Sequence, residues 1–282
     1  MPLFEIGKQG LNAVEITNFG KEKELQSLIE RNLDVVFSCR FVASEFSTGS
    51  LHAGRIDSLA LSEENNPVII EYKKVESSDL INQSLFYLNW IYDHKGDFEL
   101  VARKAVGDGV TVDWSDVRVV CIAPNYKKYD IHAVQVMGAN IELWTYRLFG
   151  NSTLYLEQVF NQGGQQVGGK PEPPETDAAR IYTFNEHLKG KPAKIVDLAL
   201  EIQEFVSGLD SSIDENPKKH YIGYKTTKNI MCMNIQHGKV ILYIKLDPTK
   251  IKNMPSIGRD VRDIGHYGTG DLEITVKNSR DF

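Results

Sequence analysis

Two strand-forming segments joined by a polar turn constrain this chain more than any other part of its sequence. The first segment is Arg55–Leu61, and the second comprises residues 68–73. Between them, residues 62–67 are the acidic, asparagine and proline residues typical of a turn. The pattern predicts a β-hairpin, and the other elements must be arranged around it.

Side chains alternate between the two faces of a strand, so Glu71 and Lys73 should point to the same side. Ile69 should share that side, while Val68, Ile70 and Tyr72 face the other. If the neighbouring strand brings Asp57 onto the same face, two carboxylates and one ammonium meet at the end of an apolar sheet. Such a cluster stays ionised only with cations or hydrogen bonds around it.

A cluster of this kind suits metal-assisted hydrolysis of a phosphodiester. Asp57, Glu71 and the backbone carbonyl of Tyr72 offer the hard oxygen ligands that Mg²⁺ prefers, and Mn²⁺ is the alternative ion. A bound ion can acidify the attacking water or stabilise the leaving oxygen. Lys73 would orient that water or hold the phosphate.

The order of Asp57, Glu71 and Lys73 at the end of an apolar strand resembles the PD-(D/E)XK nuclease superfamily. Ile56 stands where the superfamily name has proline, at a position that carries no ligand. The resemblance implies a restriction-endonuclease-like fold, in which helices flank a mixed sheet. It also implies a metal-dependent endonuclease or exonuclease that acts on nucleic acid, with DNA the expected substrate.

Gln83 and Tyr87 extend this resemblance. They lie four residues apart on a helix predicted over residues 78–94, and therefore share a face. In RecB-like members of the superfamily, a Gln-x-x-x-Tyr after the catalytic strand helps to hold the DNA or the site. The resemblance covers roughly residues 21–92.

Superfamily members commonly place one more acidic residue on the first helix, which the apolar spacing predicts from residue 21 into residues 34–37. Glu24 lies nearer the edge of the apolar stripe than Glu30, and Glu24 is therefore the choice here. An exposed helix charge is an equally good reading of either residue.

The charge balance argues against strong non-specific binding to duplex DNA. Residues 1–160 contain 15 basic and 22 acidic side chains, a balance of −7, and residues 161–282 contain 17 and 16, a balance of +1. Nucleic-acid-binding domains usually show a basic footprint. A local contact patch remains open, formed by Arg55, Lys73, Lys74, Arg103 and Lys104.

Composition and apolar patterning give the expected setting. With 41% apolar and 25% charged residues the chain has a globular composition. No apolar run nears the roughly 18 residues that span a bilayer, and the first residues lack a signal-peptide core. A cytoplasmic protein with no membrane partner is expected. Cys39, Cys121 and Cys232 are too far apart to indicate disulfides or a zinc site.

The sequence predicts two domains. Residues 1–160 form the nuclease-like domain, in which strands 41–46, 116–124 and 141–146 alternate with helices in a mixed α/β arrangement. Residues 161–180 are rich in glycine, glutamine and proline and form a linker. Residues 181–282 resemble an uncharacterised bacterial α+β domain. A final helix would be expected where the chain ends, so that domain is interpreted as lacking its last element.

Two other sequence features have structural explanations that are favoured over functional ones. Residues 125–129 interleave tyrosines with lysines and could stack on a base, but a solvated loop is favoured. Residues 265–270 form a glycine-rich turn without the context of a phosphate loop.

Three hypotheses follow. The leading one is a Mg²⁺-dependent nuclease with Asp57, Glu71 and Lys73 at its centre. The alternative is a nucleic-acid or protein binding module that keeps the fold without turnover, and the third is a purely structural protein. A homodimer would suit the cutting of two strands, although no residue requires one.

Overall fold

The structure, a computed structural model, describes residues 2–8, 10–49, 54–76, 79–137, 140–161, 182–210 and 212–281. The chain divides into two compact units, Met1–Gly169 and Lys170–Phe282, and each is described by itself. Of the expected linker, only Asn161 lies within the described residues. The domain boundaries drawn from the sequence therefore stay predictions.

The first unit combines a large sheet with helices. Its strands are β1 (Leu3–Gly7), β2 (Gly10–Val14), β3 (Ile16–Thr17), β4 (Arg40–Ser47), β5 (Arg55–Leu61), β6 (Pro67–Tyr72), β7 (Arg118–Ala123), β8 (Ile141–Phe149) and β9 (Thr153–Asn161). Its helices are α1 (Glu22–Glu30), α2 (Leu33–Val36), α3 (Asp79–Asp93), α4 (Lys95–Val106) and α5 (Lys128–Met137).

The main sheet has the order β3-β8-β7-β6-β5-β4, with β9 paired to β8, while β1 and β2 form a separate hairpin. Strand β5 is antiparallel to β4 and β6, whereas β6, β7 and β8 run parallel. Parallel neighbours need long connections. Helices α3 and α4 connect β6 to β7, and α5 connects β7 to β8.

Both faces of this sheet are covered, and the two faces of β6 separate as the alternation predicts. One core holds Ile69 and Cys121 together with Leu80, Trp90 and Ile91 of α3. The other holds Val68, Ile70, Tyr72 and Ile122 together with Leu25 and Ile29 of α1. Full burial of one such side chain contributes about 1.5–3 kcal/mol to stability. The summed contribution of these cores can offset the cost of placing a few charged side chains where the strands end.

The expected fold class, a mixed α/β sheet flanked by helices and followed along the chain by a smaller α+β unit, is confirmed. The first helix ends earlier than expected, at Glu30, and a short second helix follows it. Strand β9 was not predicted from the sequence.

The second unit is an antiparallel sheet packed on one long helix. Its helices are α6 (Phe184–Leu188) and α7 (Ala193–Leu209), and a 3₁₀ turn spans Pro248–Lys250. Its strands are β10 (Asp214–Pro217), β11 (Ile222–Lys225), β12 (Asn229–Ile235), β13 (Val240–Ile244), β14 (Gly258–Asp260) and β15 (Leu272–Val276), in the order β10-β11-β12-β13-β15-β14. Ile195, Leu198 and Ile202 of α7 cover one face of this sheet.

The glycine-rich turn of this unit is structural. Gly270 has a φ of +138°, and a Cβ there would lie 2.7 Å from the carbonyl carbon of Tyr243. Only glycine fits such a position. The structural reading of residues 265–270 therefore agrees with the close packing found here.

None of the helices in the described part of the chain has the length and apolar character needed to cross a membrane.

Candidate active site

The two expected carboxylates lie where β5 and β6 stop pairing. The last pair of their ladder joins Ser58 to Ile70. Continued by one residue, the same register sets Asp57 directly opposite Glu71. Residues in directly opposed positions face the same side of a sheet, so the register brings the two side chains together.

Each carboxylate accepts an amide hydrogen bond from the other strand. Glu71 Oε1 lies 3.0 Å from the backbone nitrogen of Asp57, and Asp57 Oδ2 lies 3.0 Å from the backbone nitrogen of Tyr72. Buried amides need such partners where a ladder ends. The hydrogen bonds that close the hairpin therefore also fix the positions of both acidic groups.

Burial makes ionisation of this pair unfavourable. Glu71 has no exposed surface, and desolvation, followed by the nearby Asp57 carboxylate, raises its pKa to about 9. Desolvation also raises the pKa of Asp57, against the opposing effect of its hydrogen bond from Tyr72. Glu71 Oε2 is buried and accepts no hydrogen bond from the described residues. A cation beside this oxygen would relieve both the repulsion and the missing contact.

Lys73 lies close to both carboxylates. Its charge lowers the pKa of Asp57 and of Glu71, which opposes the larger effect of burial. Its Nζ lies 3.8 Å from Glu22 Oε1, and its side chain is 23% exposed. The ammonium is thus held at the rim of the cluster, where it remains open to solvent on one side.

Glu22, at the start of α1, is an acidic residue of the site that sequence reasoning missed. Its charge raises the pKa of both Asp57 and Glu71, and its Oε2 accepts a 2.9 Å hydrogen bond from the backbone nitrogen of Lys74. Lys74 Nζ in turn donates to the carbonyl of Gly20, at 2.7 Å. These contacts fasten the first turn of α1 to the end of β6.

The structure places Glu22, and not the expected Glu24, against the cluster. Glu24 is exposed, and its Oε2 accepts a 2.8 Å hydrogen bond from the backbone nitrogen of Gly20. The physical reason is helical spacing, because Glu22 shares the buried stripe of Leu25 and Ile29, at i+3 and i+7. This spacing is the signal that could have identified Glu22.

Two further side chains of α1 form hydrogen bonds with β5. Gln26 is buried, and its Nε2 donates to the carbonyl of Asp57 at 2.7 Å and to Glu30 Oε1 at 2.9 Å. Glu30 Oε1 also accepts from Ser58 Oγ, at 2.7 Å. Glu30, the other acidic residue considered on this helix, therefore holds the strand beside Asp57.

Only the backbone of Tyr72 can serve the site. Its side chain is fully buried in the core that contains Leu25 and Ile29 of α1, where its hydroxyl lies 3.4 Å from Ser58 Oγ. The amide of Tyr72 points towards Asp57, and the carbonyl of a strand residue points the same way as its amide. The carbonyl is therefore directed into the gap between β5 and β6.

Gln83 and Tyr87 position the start of β5. Gln83 Nε2 donates to the Tyr87 hydroxyl at 3.0 Å, and this hydroxyl accepts from the backbone nitrogen of Arg55 at 3.1 Å. Tyr87 is only 3% exposed, and its ring packs on Gly54, where a Cβ would lie 2.8 Å from Tyr87 Cε1. In this structure the pair supports the strand that carries Asp57.

The side chain of Arg55 forms an ion pair with Glu45, across the sheet on β4. Arg55 Nε lies 2.5 Å from Glu45 Oε2, and Lys23 Nζ lies 2.8 Å from Glu45 Oε1. The hydrogen bond from Lys23 is the main cause that lowers the pKa of Glu45. Glu45 also contributes to the raised pKa of Asp57, so its carboxylate lies near the cluster.

The donor set fits a hard divalent cation. Among the described residues there is no group of three or more His, Cys, Asp or Glu side chains that could hold a metal ion. Asp57, Glu71 and the Tyr72 carbonyl form a smaller oxygen set, which suits an ion such as Mg²⁺ that keeps several waters. The buried, unsatisfied Glu71 Oε2 is the observation that supports this fit.

The aromatic and lysine-containing loop after β7 is partly structural. The Tyr126 hydroxyl donates to the carbonyl of Cys121 at 2.6 Å, and its ring packs against the core. Tyr129 is 85% exposed. Tyr126 is therefore committed to the fold and is not free to stack on a base.

Part of the chain matches a known family. Residues 184–281 match the model of a domain of unknown function, DUF5655. This agrees with the expected resemblance of the second half to an uncharacterised domain. An uncharacterized protein of Haemophilus influenzae is 29% identical over an alignment of 291 positions, which includes 99% of this chain and 95% of that protein.

Two solved structures of endonucleases resemble part of the chain. The EndoMS complex with double-stranded DNA has 19% identity and a TM-score of 0.33, covering 46% of each chain. A repair endonuclease from Pyrococcus abyssi has 17% identity and a TM-score of 0.25, covering 44% of this chain and 47% of that one. The match spans less than half the length of either protein, and similarity this low carries no argument about activity.

Proposed function

We propose that this protein is a divalent-metal-dependent nuclease of the PD-(D/E)XK type, with DNA as the expected substrate. The observation that carries the proposal is the paired arrangement of Asp57 and Glu71. Each is fixed by an amide of the opposite strand, both have a raised pKa, and one buried oxygen of Glu71 lacks a hydrogen bond. A buried acidic pair of this kind points to a site built for a cation.

Asp57, Glu71 and the Tyr72 carbonyl would hold Mg²⁺ or Mn²⁺. The ion would supply Lewis-acid stabilisation of the phosphate and acidify a water. The chain itself contributes fixed geometry, because the acidic groups are held by backbone hydrogen bonds. Such preorganised groups need little rearrangement when the substrate binds.

Lys73 is proposed to bind the phosphate or orient the attacking water. Its ammonium lies at the partly exposed rim and is held by Glu22 at 3.8 Å. An ion pair that long and partly exposed is weak, so the ammonium can move to a phosphate oxygen. Glu22 is proposed to keep Lys73 near the cluster before the substrate arrives.

The direct test is cleavage of labelled DNA in the presence of Mg²⁺ or Mn²⁺. Asp57→Ala and Lys73→Ala should each lose at least about 100-fold in rate, the usual effect of removing a group that stabilises developing charge. Asp57→Asn keeps an acceptor for the Tyr72 amide and covers the case in which the alanine variant fails to fold. The matched controls are Asp108→Ala and Lys8→Ala, both at exposed positions that belong neither to the site nor to the local basic patch.

Equal cleavage by the parent protein and the site variants would end the nuclease proposal. Parallel calorimetric titrations with Mg²⁺ add an independent measurement, because ion binding should require Asp57 and Glu71 whatever the substrate is. Ion binding that persists in Asp57→Ala would place the cation elsewhere.

The second candidate, a binding module without turnover, is favoured by the acidic balance of the first half, −7 over residues 1–160. In that case nucleic-acid or protein binding should need no divalent metal and should survive Lys73→Ala. A homodimer remains part of the nuclease proposal for substrates with two strands, and light scattering would test it.

A further inference from the structure

Glu45 has a backbone conformation that is unusual for its place in the chain. It lies within β4, yet its φ is +54°, in the left-handed region. Residues other than glycine, asparagine and aspartate adopt this region rarely, and such strain is concentrated at functional sites. Its presence at this position suggests that the glutamate side chain itself is needed.

The strand register shows where this side chain lies. On either side of Glu45, Ser44 pairs with Ser58 and Phe46 pairs with Ile56. Continued through position 45, this register sets Glu45 opposite Asp57. The carboxylate is therefore next to the proposed hydrolytic centre, on the strand that flanks it.

Two cations hold this carboxylate, and the three residues Lys23, Glu45 and Arg55 are called the Glu45 clamp. Lys23 Nζ lies 2.8 Å from one carboxylate oxygen and Arg55 Nε lies 2.5 Å from the other. Lys23 also donates to Ser44 Oγ, at 3.2 Å. The side chains of Lys23 and Arg55 are 50% and 67% exposed, so a ligand can reach both.

The arrangement is that of an oxyanion bound between an ammonium and a guanidinium. Lys23 donates a hydrogen bond to Glu45 Oε1, whereas Arg55 forms only an ion pair with Glu45 Oε2, which accepts no hydrogen bond from the described residues. A phosphate oxygen can pair with both groups, and arginine is especially suited to phosphate. Arg55 precedes Asp57 by two residues on the same strand, a separation of about 7 Å at the usual rise per residue. A phosphate bound by the clamp would therefore lie beside the phosphate that is hydrolysed.

We propose that Lys23 and Arg55 bind one backbone phosphate of the substrate next to the scissile bond, and that the Glu45 carboxylate occupies their binding position until the substrate replaces it. The inference rests on the proposed function. The ligand of these two cations is then the phosphodiester backbone. Glu45 competes with that backbone for Lys23 and Arg55 and so weakens nucleic-acid binding. Because ion pairs whose cations are this exposed are weak, such an exchange is feasible.

Binding of a fluorescein-labelled 20-bp DNA duplex, measured by anisotropy in EDTA, tests the clamp without hydrolysis. Glu45→Gln removes the competing charge and breaks two ion pairs at once. Each such pair contributes at most about fivefold, so DNA binding should tighten about fivefold to tenfold. Glu45→Asn is the second variant, because asparagine tolerates a positive φ. Glu157→Gln makes the same charge change at an exposed position on β9, which β8, β7 and β6 separate from β5, and should alter binding less than twofold.

Removing either cation should have the opposite effect. Lys23→Ala and Arg55→Ala should each weaken binding and reduce the slope of log K against log salt by about 0.7–0.9, the value expected for one lost phosphate contact. The same measurements with the single strand and with an RNA of equal sequence show which nucleic acid supplies the phosphate.

The outcomes separate this inference from the nuclease proposal. If the parent cleaves DNA in an Asp57-dependent way but neither Glu45 variant binds more tightly than Glu157→Gln, the clamp is wrong and the nuclease stands. If both Glu45 variants bind more tightly but no protein cleaves DNA, the proposal for the Glu45 clamp stands and the nuclease proposal is refuted. No binding to the duplex, the single strand or the RNA would overturn both.

Discussion

Replacing Glu71 with glutamine should stabilise the metal-free protein at neutral and alkaline pH. Glutamine keeps the shape of the side chain and an oxygen that accepts from the backbone nitrogen of Asp57, at the place of Glu71 Oε1. It cannot ionise. Because Glu71 is fully buried beside Asp57, the parent protein must either retain a proton there or bury a negative charge.

The magnitude follows from the difference between the folded and unfolded pKa values. The pKa of Glu71 is raised from 4.5 to about 9, so the folded protein binds a proton that the unfolded chain has already lost between these values. In that window the free energy of unfolding falls as pH rises, by about 1.4 kcal/mol per pH unit. At pH 7.5, about three units above the unfolded value, we expect Glu71→Gln to be more stable than the parent by about 2–4 kcal/mol.

The assay is denaturant unfolding in EDTA at pH values from 4 to 9. Tryptophan fluorescence reports on the first unit alone, because Trp90, Trp114 and Trp144 are the three tryptophans of the chain. The advantage of Glu71→Gln should disappear below pH 4.5 and grow steadily above it, while Glu157→Gln should follow the parent throughout. A glutamine variant that is less stable than the parent at pH 8 would refute the argument from burial.

The same titration should control ion binding. A cation that binds Glu71 must displace its proton, so binding should release about one proton. Below pH 9 the apparent affinity for Mg²⁺ or Mn²⁺ should rise about tenfold per pH unit. Calorimetry in buffers of different ionisation enthalpy measures both quantities, and an affinity that does not depend on pH would contradict the predicted site.

Two further substitutions test the support of the sheet. Gly54→Ala would place a Cβ 2.8 Å from the buried Tyr87 ring and should destabilise the first unit by about 1–3 kcal/mol, whereas Gly96→Ala, in open space on α4, should be neutral or stabilising. Arg118→Ala removes the guanidinium that offsets the buried Glu142 carboxylate, 3.0 Å away, and should cost about 3–5 kcal/mol. Urea unfolding followed by tryptophan fluorescence measures both, and losses below about 0.5 kcal/mol would show that these contacts carry little stability.

The hairpin could be predicted because its information is local. Alternation along residues 68–72 and the polar turn before them specify which side chains share a face, and both cores follow this pattern. The approach of Asp57 to Glu71 depends in addition on the register, which the length of the turn determines. The hydrogen bonds between carboxylates and amides could not be predicted, because they arise where the strands separate.

Strands that depend on their partners were missed. Asp214–Pro217 and Gly258–Asp260 contain residues that are depleted in strands, and no local pattern marks them. They are strands because β11 and β15 offer them an edge. Sequence periodicity shows which side chains of a segment are buried. It does not detect a strand that forms because a neighbouring strand offers hydrogen-bonding partners.

The choice of Glu24 shows a different limit. Glu24 is favoured over Glu30 because it lies nearer the edge of the apolar stripe, but Glu22, the first residue of the helix, is not among these two candidates. Glu22, Leu25, Gln26 and Ile29 occupy one stripe, and Gln26 is a buried polar member of it. Polar residues inside an apolar stripe are therefore the signal for contact with a polar site on the sheet.

The acidic balance of the first unit is compatible with a nucleic-acid substrate when each acidic group of the site is considered with its neighbours. In the metal-free protein, burial beside Asp57 raises the pKa of Glu71 to about 9, which favours the neutral carboxyl at neutral pH. Glu22 lies against Lys73, and Glu45 lies between Lys23 and Arg55. A formal count assigns full negative charge to all three glutamates, although one is protonated and two are paired with cations. The potential near Asp57 is thus less negative than the total suggests, and displacement of Glu45 by a phosphate would free two positive charges for the substrate.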